Sequence, residues 1–449
     1  MLARTLAVMV LLASLPAWAA PPQVTDPADK EILAAFLGFA ETSAAQCTPE
    51  RMAKFASQPE DIVWQASRYI RMPLTAYRLS GDAKYLDMFV RRMDTLCNCM
   101  TKGPDGQLGW YGLPLDLFRH PDHPDRKVDV ELTDYEVAGL MAEFVRTVKS
   151  DAALAAKFAE TAARYIRTAE DLVKKWEARG QYRDLGPIGA VIVTHADLKP
   201  IKASLTNPHN KQAKFTEAYL ALYAATGRDE HLAKAIKIGT RFKHCLTLVG
   251  DHYAWNYLDP AGPCDVDPAD SSKWKHWIGP EHRGGYFSLT LTHAVILYEH
   301  GLVFDRTDMD RFVRTQTTVC WNGDAANPKW SRVDGRPADG RYLCAALAAF
   351  DQRIYDLAFT GAAQQERLKG KGHPWQGGPE AGDWLEAKYL TYPKWKGSAP
   401  AETAVVAPFL SKPANQAFVR SLAFEVKPPG YKAPATPAEM KGTVAGERR

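Results

Sequence analysis

The chain has 449 residues, of which 46% are hydrophobic and 24% charged, and its formal net charge is +4. This composition can fill a packed core and excludes general disorder. The nearly balanced charge excludes a nucleic-acid-binding protein that works through bulk positive charge, but it allows a local basic groove for an acidic glycan.

The first 19 residues have the pattern of an export signal. Arg4 supplies the positive start, residues 6–15 form a short apolar core, and Ala17-Trp18-Ala19 matches a small-x-small cleavage site. The apolar core is too short to cross a bilayer. We therefore expect a periplasmic or secreted protein with no stable membrane insertion after cleavage, and an uncleaved anchor is the alternative.

The chain contains seven cysteines, an odd number. In an oxidising compartment we expect some of them to pair, leaving at least one free, and the sequence does not determine the connectivity. Cys97-x-Cys99 lacks the two-residue gap of zinc ligands and has no matching second pair. We predict neither a metal ion nor a cofactor.

Helical periodicity dominates from residue 29 to about residue 424. Thr133 and Glu136 have the spacing of a capping box, and apolar residues follow them at three- and four-residue intervals. A partner helix is predicted over residues 154–176. Strand-like alternation is scarce, and residues 190–194 are the best candidate for a strand.

A weak repeat marks the ends of three predicted helices, where similar residues precede Gly81, Gly227 and Gly361. Glycine suits a left-handed C-cap, after which the chain turns back into an antiparallel helix. Such hairpins predict an all-α toroid of about six hairpins and roughly twelve helices. We expect one domain over residues 20–425 and a disordered Pro- and Lys-rich tail over residues 426–449.

The stretch over residues 252–289 concentrates aromatic, imidazole and guanidinium side chains in a loop before an apolar helix at residues 286–297. Other long loops are predicted at residues 101–127, 181–210 and 322–340. Connections of this length in a compact domain are usually functional. The stretch is typical of a sugar-binding rim, and the alternative is an irregular loop with buried aromatics.

Four short motifs resemble the α/α-toroid polysaccharide lyases, and more loosely other six-hairpin carbohydrate enzymes. They are Trp64 with Arg68, Asn207-Pro208-His209-Asn210, Tyr253-x-Trp255-Asn256-Tyr257, and Glu281-His282-Arg283-Gly284. They span most of residues 60–320. The last motif departs from the family, which tends to have an acidic residue and a Ser-His-Gly there.

The resemblance implies cleavage of a uronate polysaccharide, such as alginate or glucuronan, by β-elimination. This reaction removes the C5 proton next to a carboxylate, so a cation or strong donor must stabilise the developing charge. Asn210, Arg283 and His282 could do so. Tyr257 is the first candidate for proton transfer, with Arg283 favouring its phenolate, and Tyr253 and His209 follow.

Each of these side chains also has a structural interpretation. Tyr257 could be a packed loop residue and His209 a residue at a helix start, whereas His293 is expected in the core. Arg68 could bind carboxylates along the glycan. Five tryptophans could stack on pyranose faces, and we expect about half of them in the core: Trp64, Trp110, Trp255, Trp274 and Trp277.

Three other functions compete with the lyase. A glycoside hydrolase would need two carboxylates, for which Glu131, Asp134 and Glu281 are candidates. An epimerase would share the first proton abstraction, and a glycan-binding protein would need no base.

The acidic run at residues 265–270 lacks the glycine and closing glutamate of a calcium loop. The expected partner is an acidic polysaccharide and not a nucleic acid, and the sequence does not set the oligomeric state.

Overall fold

The structure is a computed structural model, and it describes residues 21–369, 378–391 and 403–440. The predicted export signal lies outside these residues. The described part is mostly helical with a few short strands, which confirms the all-α class.

The α-helices are numbered here in chain order. They are α1 Pro27–Thr42, α2 Pro49–Ala56, α3 Pro59–Asp61, α4 Ser67–Ser80, α5 Lys84–Cys97, α6 Glu131–Lys149, α7 Ala152–Lys157, α8 Ala159–Ala178, α9 His209–Thr226, α10 Asp229–Cys245, α11 Gly284–Glu299, α12 Arg306–Arg314, α13 Gln352–Phe359, α14 Gly361–Lys369, α15 Pro379–Glu386, α16 Thr403–Leu410, α17 Pro413–Arg420 and α18 Pro437–Met440.

Shorter helical segments connect or extend these helices. The π-helical segments are Ile62–Ala66, Thr315–Cys320 and Ala387–Thr391. The 3-10 segments are Ser43–Cys47, Asp116–Phe118, Gly186–Ile188, Pro263–Asp265 and Ala345–Ala349. The first π segment joins α3 directly to α4.

The strands form three antiparallel pairs of two strands each. They are β1 Thr101–Lys102 with β2 Leu108–Gly109, β3 Tyr182–Asp184 with β4 Ala190–Ile192, and β5 Thr247–Val249 with β6 His252–Ala254. β4 confirms the strand predicted at residues 190–194. All three of its residues are buried.

Local signals set several helix boundaries. Asp305 and Asp308 form a reciprocal capping box at the start of α12. Gly81 and Gly227 adopt φ angles of +73° and +69° and end α4 and α9, as the repeat predicted. The predicted capping box at Thr133 is wrong, because α6 begins two residues earlier and the Thr133 hydroxyl donates instead to the Pro59 carbonyl at 2.6 Å.

The long helices pack in a definite order. α4 contacts α5, α6 and α15, while α6 also contacts α8 and α9. α9 contacts α10 and α11, and α11 contacts α12 and the 3-10 segment Ala345–Ala349. That segment contacts α13, and α1 packs against α15. α6 lies deepest, because even its polar residues Glu131, Asp134 and Glu136 are buried.

Two features differ from the sequence-based expectation. All seven cysteines are free, so none is paired. Residues 426–440, predicted to be part of a disordered tail, instead contact the helical body. Lys427 donates its backbone N–H to the Leu246 carbonyl and accepts from Leu248, and the Trp274 indole donates to the Pro434 carbonyl. These bonds offset the cost of ordering the segment.

Among the described residues, no helix combines the length and apolar character needed to cross a membrane.

Candidate functional site

One open cleft combines aromatic and basic side chains. It has a volume of about 380 Å³, within the range of ligand sites. We call it the aromatic–basic cleft. Its lining residues are Tyr257, His276, Trp277, His282, Arg283, Tyr286 and Arg332.

Backbone hydrogen bonds bring together the two halves of the loop that runs from β6 to α11, within residues 252–289. The Tyr257 amide donates to the Gly279 carbonyl at 2.8 Å, and the Glu281 amide donates to the Trp255 carbonyl at 3.3 Å. The loop is also attached to α9, because the His209 amide donates to the Tyr257 carbonyl at 3.1 Å. These bonds place Tyr257 and His282 side by side although they are 25 positions apart in the sequence.

Gly284, which follows Arg283, allows a close contact between the start of α11 and the backbone at Arg341. A Cβ at this position would lie 1.9 Å from the Arg341 carbonyl oxygen. Only glycine fits such a backbone approach. This contact explains the glycine after Arg283, and α11 begins there.

Three aromatic rings surround the His282 imidazole nearly edge to face. The ring centroids of Tyr257, Trp277 and Tyr286 lie 4.8, 5.6 and 5.8 Å from that of His282. The Tyr257 and Tyr286 rings stack on each other at 5.4 Å. His282 Nδ1 is buried and has no hydrogen-bond partner in the described part of the chain.

The cleft shifts the pKa values of His282 and Tyr257 in opposite directions. Burial lowers the pKa of His282, and the charges of Arg283 and Arg332 lower it further. Burial raises the pKa of Tyr257, as do Tyr286 and Glu281. The charge of Arg283 lowers the pKa of Tyr257, as predicted, but it does not overcome the rise that burial causes. His282 is therefore neutral and Tyr257 protonated near neutral pH.

Arg283 and Arg332 give the cleft its positive charge. The Arg283 guanidinium lies 5.6 Å from the Tyr286 ring centroid. Arg332 lies in a turn closed by a bond from the Gly335 amide to its carbonyl, and its Nε is buried without a partner in the described residues. Neither guanidinium forms an ion pair with a carboxylate of residues 21–369, 378–391 or 403–440. A bound anion would give both guanidiniums an ion-pair partner.

Two buried glutamates have raised pKa values and do not line the cleft. Glu281 is fully buried, and burial raises its pKa to about 8. One of its oxygens accepts from the His282 amide at 3.1 Å. Glu131, at the start of α6, accepts from Asn207 at 3.0 Å, and burial raises its pKa to about 7. Near neutral pH, Glu281 is therefore mostly protonated and Glu131 is partly protonated.

Three predicted site residues belong to the core instead. Trp110 is fully buried and its indole donates to the Leu96 carbonyl at 3.0 Å. Trp255 is 3% exposed and stacks on Phe287. Tyr253 is 1% exposed. None of them can touch a glycan at the surface, so these predictions are corrected.

Tyr253 has a specific structural role in place of the predicted catalytic one. Its hydroxyl donates to Asp308 at 2.7 Å and accepts from Arg311 at 2.9 Å. The bonds attach β6 to α12.

The remaining predicted residues do not line the cleft. His209 and Asn210 are buried at the start of α9, and the Asn210 Oδ1 has no partner among the described residues. Trp64 is half-buried against the core, and Trp274 is half-buried against the C-terminal segment. Arg68 is exposed and pairs with Glu380 at 2.9 Å.

His209, Cys245 and Asp259 are the one group of three potential metal ligands among the described residues. Their ligand atoms all lie within 4.8 Å of one another, and His209 Nε2 is 3.0 Å from Asp259. Arg241 and Lys427 are close enough to act on the Cys245 thiol, and their positive charges oppose a bound cation. The trio connects α9 and α10 to the loop that carries Tyr257.

In the acidic run at residues 265–270, the carboxylates of Asp265 and Asp270 form hydrogen bonds within the protein. Asp265 accepts from the Thr206 amide and hydroxyl and from the Ala261 amide, at 2.7 to 2.8 Å. Asp270 accepts from Ser272 and pairs with Lys273 at 2.9 Å. These carboxylates stabilise the loop.

Sequence reasoning missed three residues that line the cleft. Tyr286 was interpreted as the first residue of an apolar helix. His276 lies in the stretch over residues 252–289 but belongs to none of the four motifs. Arg332 lies in the loop at residues 322–340, which was recognised only by its length. Their common signal is a long loop that precedes a buried helix or 3-10 segment.

No family model matches the chain, and no curated protein matches it.

Proposed function

We propose that this protein is a polysaccharide lyase that cleaves a uronate glycan by β-elimination. One observation carries the proposal. One open cleft contains a neutral imidazole, a protonated phenol and two guanidiniums that pair with no carboxylate among the described residues. This is the set of groups that the elimination of an acidic sugar requires.

We further propose that the helices form a toroid. The order of packing supports this arrangement, because each of α4, α6, α9 and α11 contacts the next, and α15 contacts α4. Each of these helices also has an outer partner, such as α8 for α6 and α10 for α9. The loop that supplies Tyr257 precedes α11, and the loop that supplies Arg332 precedes the 3-10 segment Ala345–Ala349, which contacts α11. A toroid would gather these two loops at one end.

Arg283 and Arg332 would bind the carboxylate of the sugar whose C5 proton is removed. The negative charge of that carboxylate resists formation of a carbanion at the adjacent carbon. Two guanidiniums compensate for the charge as it spreads onto the carboxylate oxygens, and this interaction is strongest in the transition state.

His282 and Tyr257 would divide the proton transfers. The neutral imidazole takes the C5 proton, and the electrons of the C5–H bond form the C4=C5 double bond. The bond from C4 to the glycosidic oxygen breaks, and the Tyr257 hydroxyl gives its proton to the leaving oxygen. The protonation states of the free protein are the ones this step needs, since His282 starts neutral and Tyr257 starts protonated.

Trp277 supplies a surface for a pyranose face. Its side chain is 49% exposed at the edge of the cleft, and its ring stands edge to face with His282. A flat aromatic surface with a polar edge is suited to sugar stacking.

A glycoside hydrolase is favoured by one observation, the raised pKa of Glu281 and Glu131. A hydrolase needs an acidic carboxyl group at the glycosidic oxygen and a second carboxylate across the bond. Neither glutamate lines the cleft, whereas His282 and Tyr257 do. The lyase is therefore the better fit.

The test is incubation of the purified protein with polymannuronate, polyguluronate, polyglucuronate and polygalacturonate. A lyase produces a C4=C5 double bond that absorbs in the near ultraviolet, in step with new reducing ends. New reducing ends without that absorbance would instead identify a hydrolase. Inversion at C5 without chain cleavage would identify an epimerase, and binding alone a glycan-binding protein.

A further inference from the structure

A short turn beside the aromatic–basic cleft presents two lysines that pair with no carboxylate in the described part of the chain. We propose that this turn, residues 199–202 together with Phe118, is a second anion-binding subsite for another acidic sugar of the same chain. We call it the lysine subsite. It rests on the proposed function and makes its substrate class more specific: a polyanionic glycan with acidic groups on more than one unit.

Backbone hydrogen bonds fix the turn against the 3-10 segment that ends at Phe118. The Lys199 amide donates to the Phe118 carbonyl at 3.0 Å, and the Lys202 amide donates to the Lys199 carbonyl at 2.7 Å. Both lysines therefore belong to one anchored structure. The Lys202 Nζ lies 5.8 Å from the centroid of the Phe118 ring.

Lys199 and Lys202 differ from the neighbouring Lys211 in their ion pairing. Lys211 also lies over Phe118, at 5.5 Å, but it pairs with Glu60 at 3.2 Å. Lys199 and Lys202 have no ion-pair partner among the described residues. Burial lowers the pKa of Lys202, and the nearby charges of Lys199 and Lys211 lower it further. An anion would relieve this repulsion.

The lysine subsite is continuous with the cleft. Lys275 Nζ donates to the carbonyl of Ala203, the residue after Lys202, at 2.6 Å. The next residue, His276, lines the cleft, and Lys202 is near enough to help lower its pKa. A chain bound at Arg283 would therefore pass close to the two lysines.

Apolar surface accompanies the positive charge. The side chains of Leu117 and Ile201, next to Phe118 and Lys202, are 53% and 38% exposed. A pyranose ring has apolar C–H faces as well as polar edges. The lysine subsite thus offers both contacts that an acidic sugar can use.

The experiment compares Lys199→Ala/Lys202→Ala with wild type in native gels that contain each of the four polyuronates, or neutral dextran as a control. Lys30→Ala is the matched control variant, because Lys30 is exposed on α1, which packs against α14 and α15 and does not line the cleft. The same proteins are titrated with the corresponding monomeric uronates. Arg283→Ala serves as the reference for the cleft.

Wild type should be retarded in the gel by at least one polyuronate. We expect the double variant to bind that polymer about tenfold more weakly and to lose part of the salt dependence of binding. It should bind the corresponding monomeric uronate like wild type. Polymer binding equal to that of wild type and Lys30→Ala would overturn the lysine subsite while leaving the proposed function intact. Equal weakening for monomer and polymer would also overturn it, since the lysines would then act in the cleft itself. Failure of wild type to bind or cleave any of the polymers overturns both.

Discussion

The imidazole of His282 and the phenol ring of Tyr257 meet at an interplanar angle of 83°, with their centroids 4.8 Å apart. The two residues come from opposite ends of one long loop, and backbone hydrogen bonds between its two halves bring them together. Burial affects them in opposite directions, since it lowers the pKa of His282 and raises that of Tyr257. Two neighbouring groups with pKa values moved in opposite directions suit a base and an acid.

Tyr257→Phe should separate binding from catalysis. The variant keeps the ring that stacks on Tyr286 and loses only the hydroxyl. We expect near-normal binding of an acidic glycan and a fall in turnover of ~10²–10⁴, the usual contribution of a positioned acid or base. Steady-state absorbance assays and direct binding measurements check this.

Tyr253→Phe is the matched control. It removes a hydroxyl that bonds Asp308 and Arg311 in the core, so it should cost ~1–3 kcal/mol of unfolding free energy and leave turnover of the folded fraction unchanged. Near-wild-type turnover in Tyr257→Phe would remove this tyrosine from the mechanism.

The pH dependence of the reaction should reveal the neutral imidazole. His282 acts as a base only when unprotonated, and its pKa lies below the ordinary value of 6.5. The unprotonated form therefore persists as the pH falls through 6.5, and kcat/KM should decline only at lower pH. His282→Gln should abolish this acidic limb along with most of the activity. An acidic limb centred above pH 6.5 would contradict the assignment.

Arg283→Ala should weaken both binding and turnover. The guanidinium contacts the carboxylate before the reaction and more strongly as charge develops. We expect a rise in KM together with a fall in kcat, and a smaller effect in Arg283→Lys, which keeps the charge but loses the planar guanidinium. A change in KM alone would mean that Arg283 contributes equally to substrate and transition state.

Much of the helical framework could be predicted from sequence because it depends on local patterns. The C-caps at Gly81 and Gly227 and the strand at β4 follow from residue type and spacing. The cleft could be predicted only in part. His282 and Arg283 stood in one motif, but Arg332 is brought to them by a turn in another loop, and no local pattern encodes that approach.

Burial explains the main errors in the predicted site. Trp110 and Trp277 are the same residue type in polar, loop-rich stretches, and only the three-dimensional packing makes one fully buried and the other 49% exposed. Likewise, Tyr253 and Tyr257 belong to one motif, yet the first is bonded to α12 and the second lines the cleft. Two-residue spacing would place both tyrosines on one face of a strand. The strand β6 ends at Ala254, however, so this spacing does not fix the direction of Tyr257 beyond it.

These two tryptophans give a paired prediction. Trp277→Ala should weaken glycan binding and leave the unfolding free energy nearly unchanged, because the side chain is at the surface. Trp110→Phe should cost roughly 1–3 kcal/mol, through a cavity and a lost hydrogen bond to Leu96, without changing affinity. Denaturant titrations and binding assays on both variants test the pair, and the reverse pattern would show that Trp110 and not Trp277 contacts the ligand.

Glu281 should make the protein less stable as the pH rises. Burial raises its pKa from 4.5 to about 8, so between these values the carboxyl group is protonated in the folded state and ionised in the unfolded state. Folding then takes up a proton. The contribution of Glu281 to the free energy of unfolding is greatest below pH 4.5 and declines as the pH rises towards 8, by up to about 1.4 kcal/mol per pH unit. Glu281→Gln keeps the shape of the side chain but cannot ionise, so its stability should fall less than that of wild type across this window. The exposed Glu31→Gln variant should follow wild type. Parallel pH profiles for wild type and Glu281→Gln, measured by urea unfolding, would show that Glu281 is ionised in the folded protein.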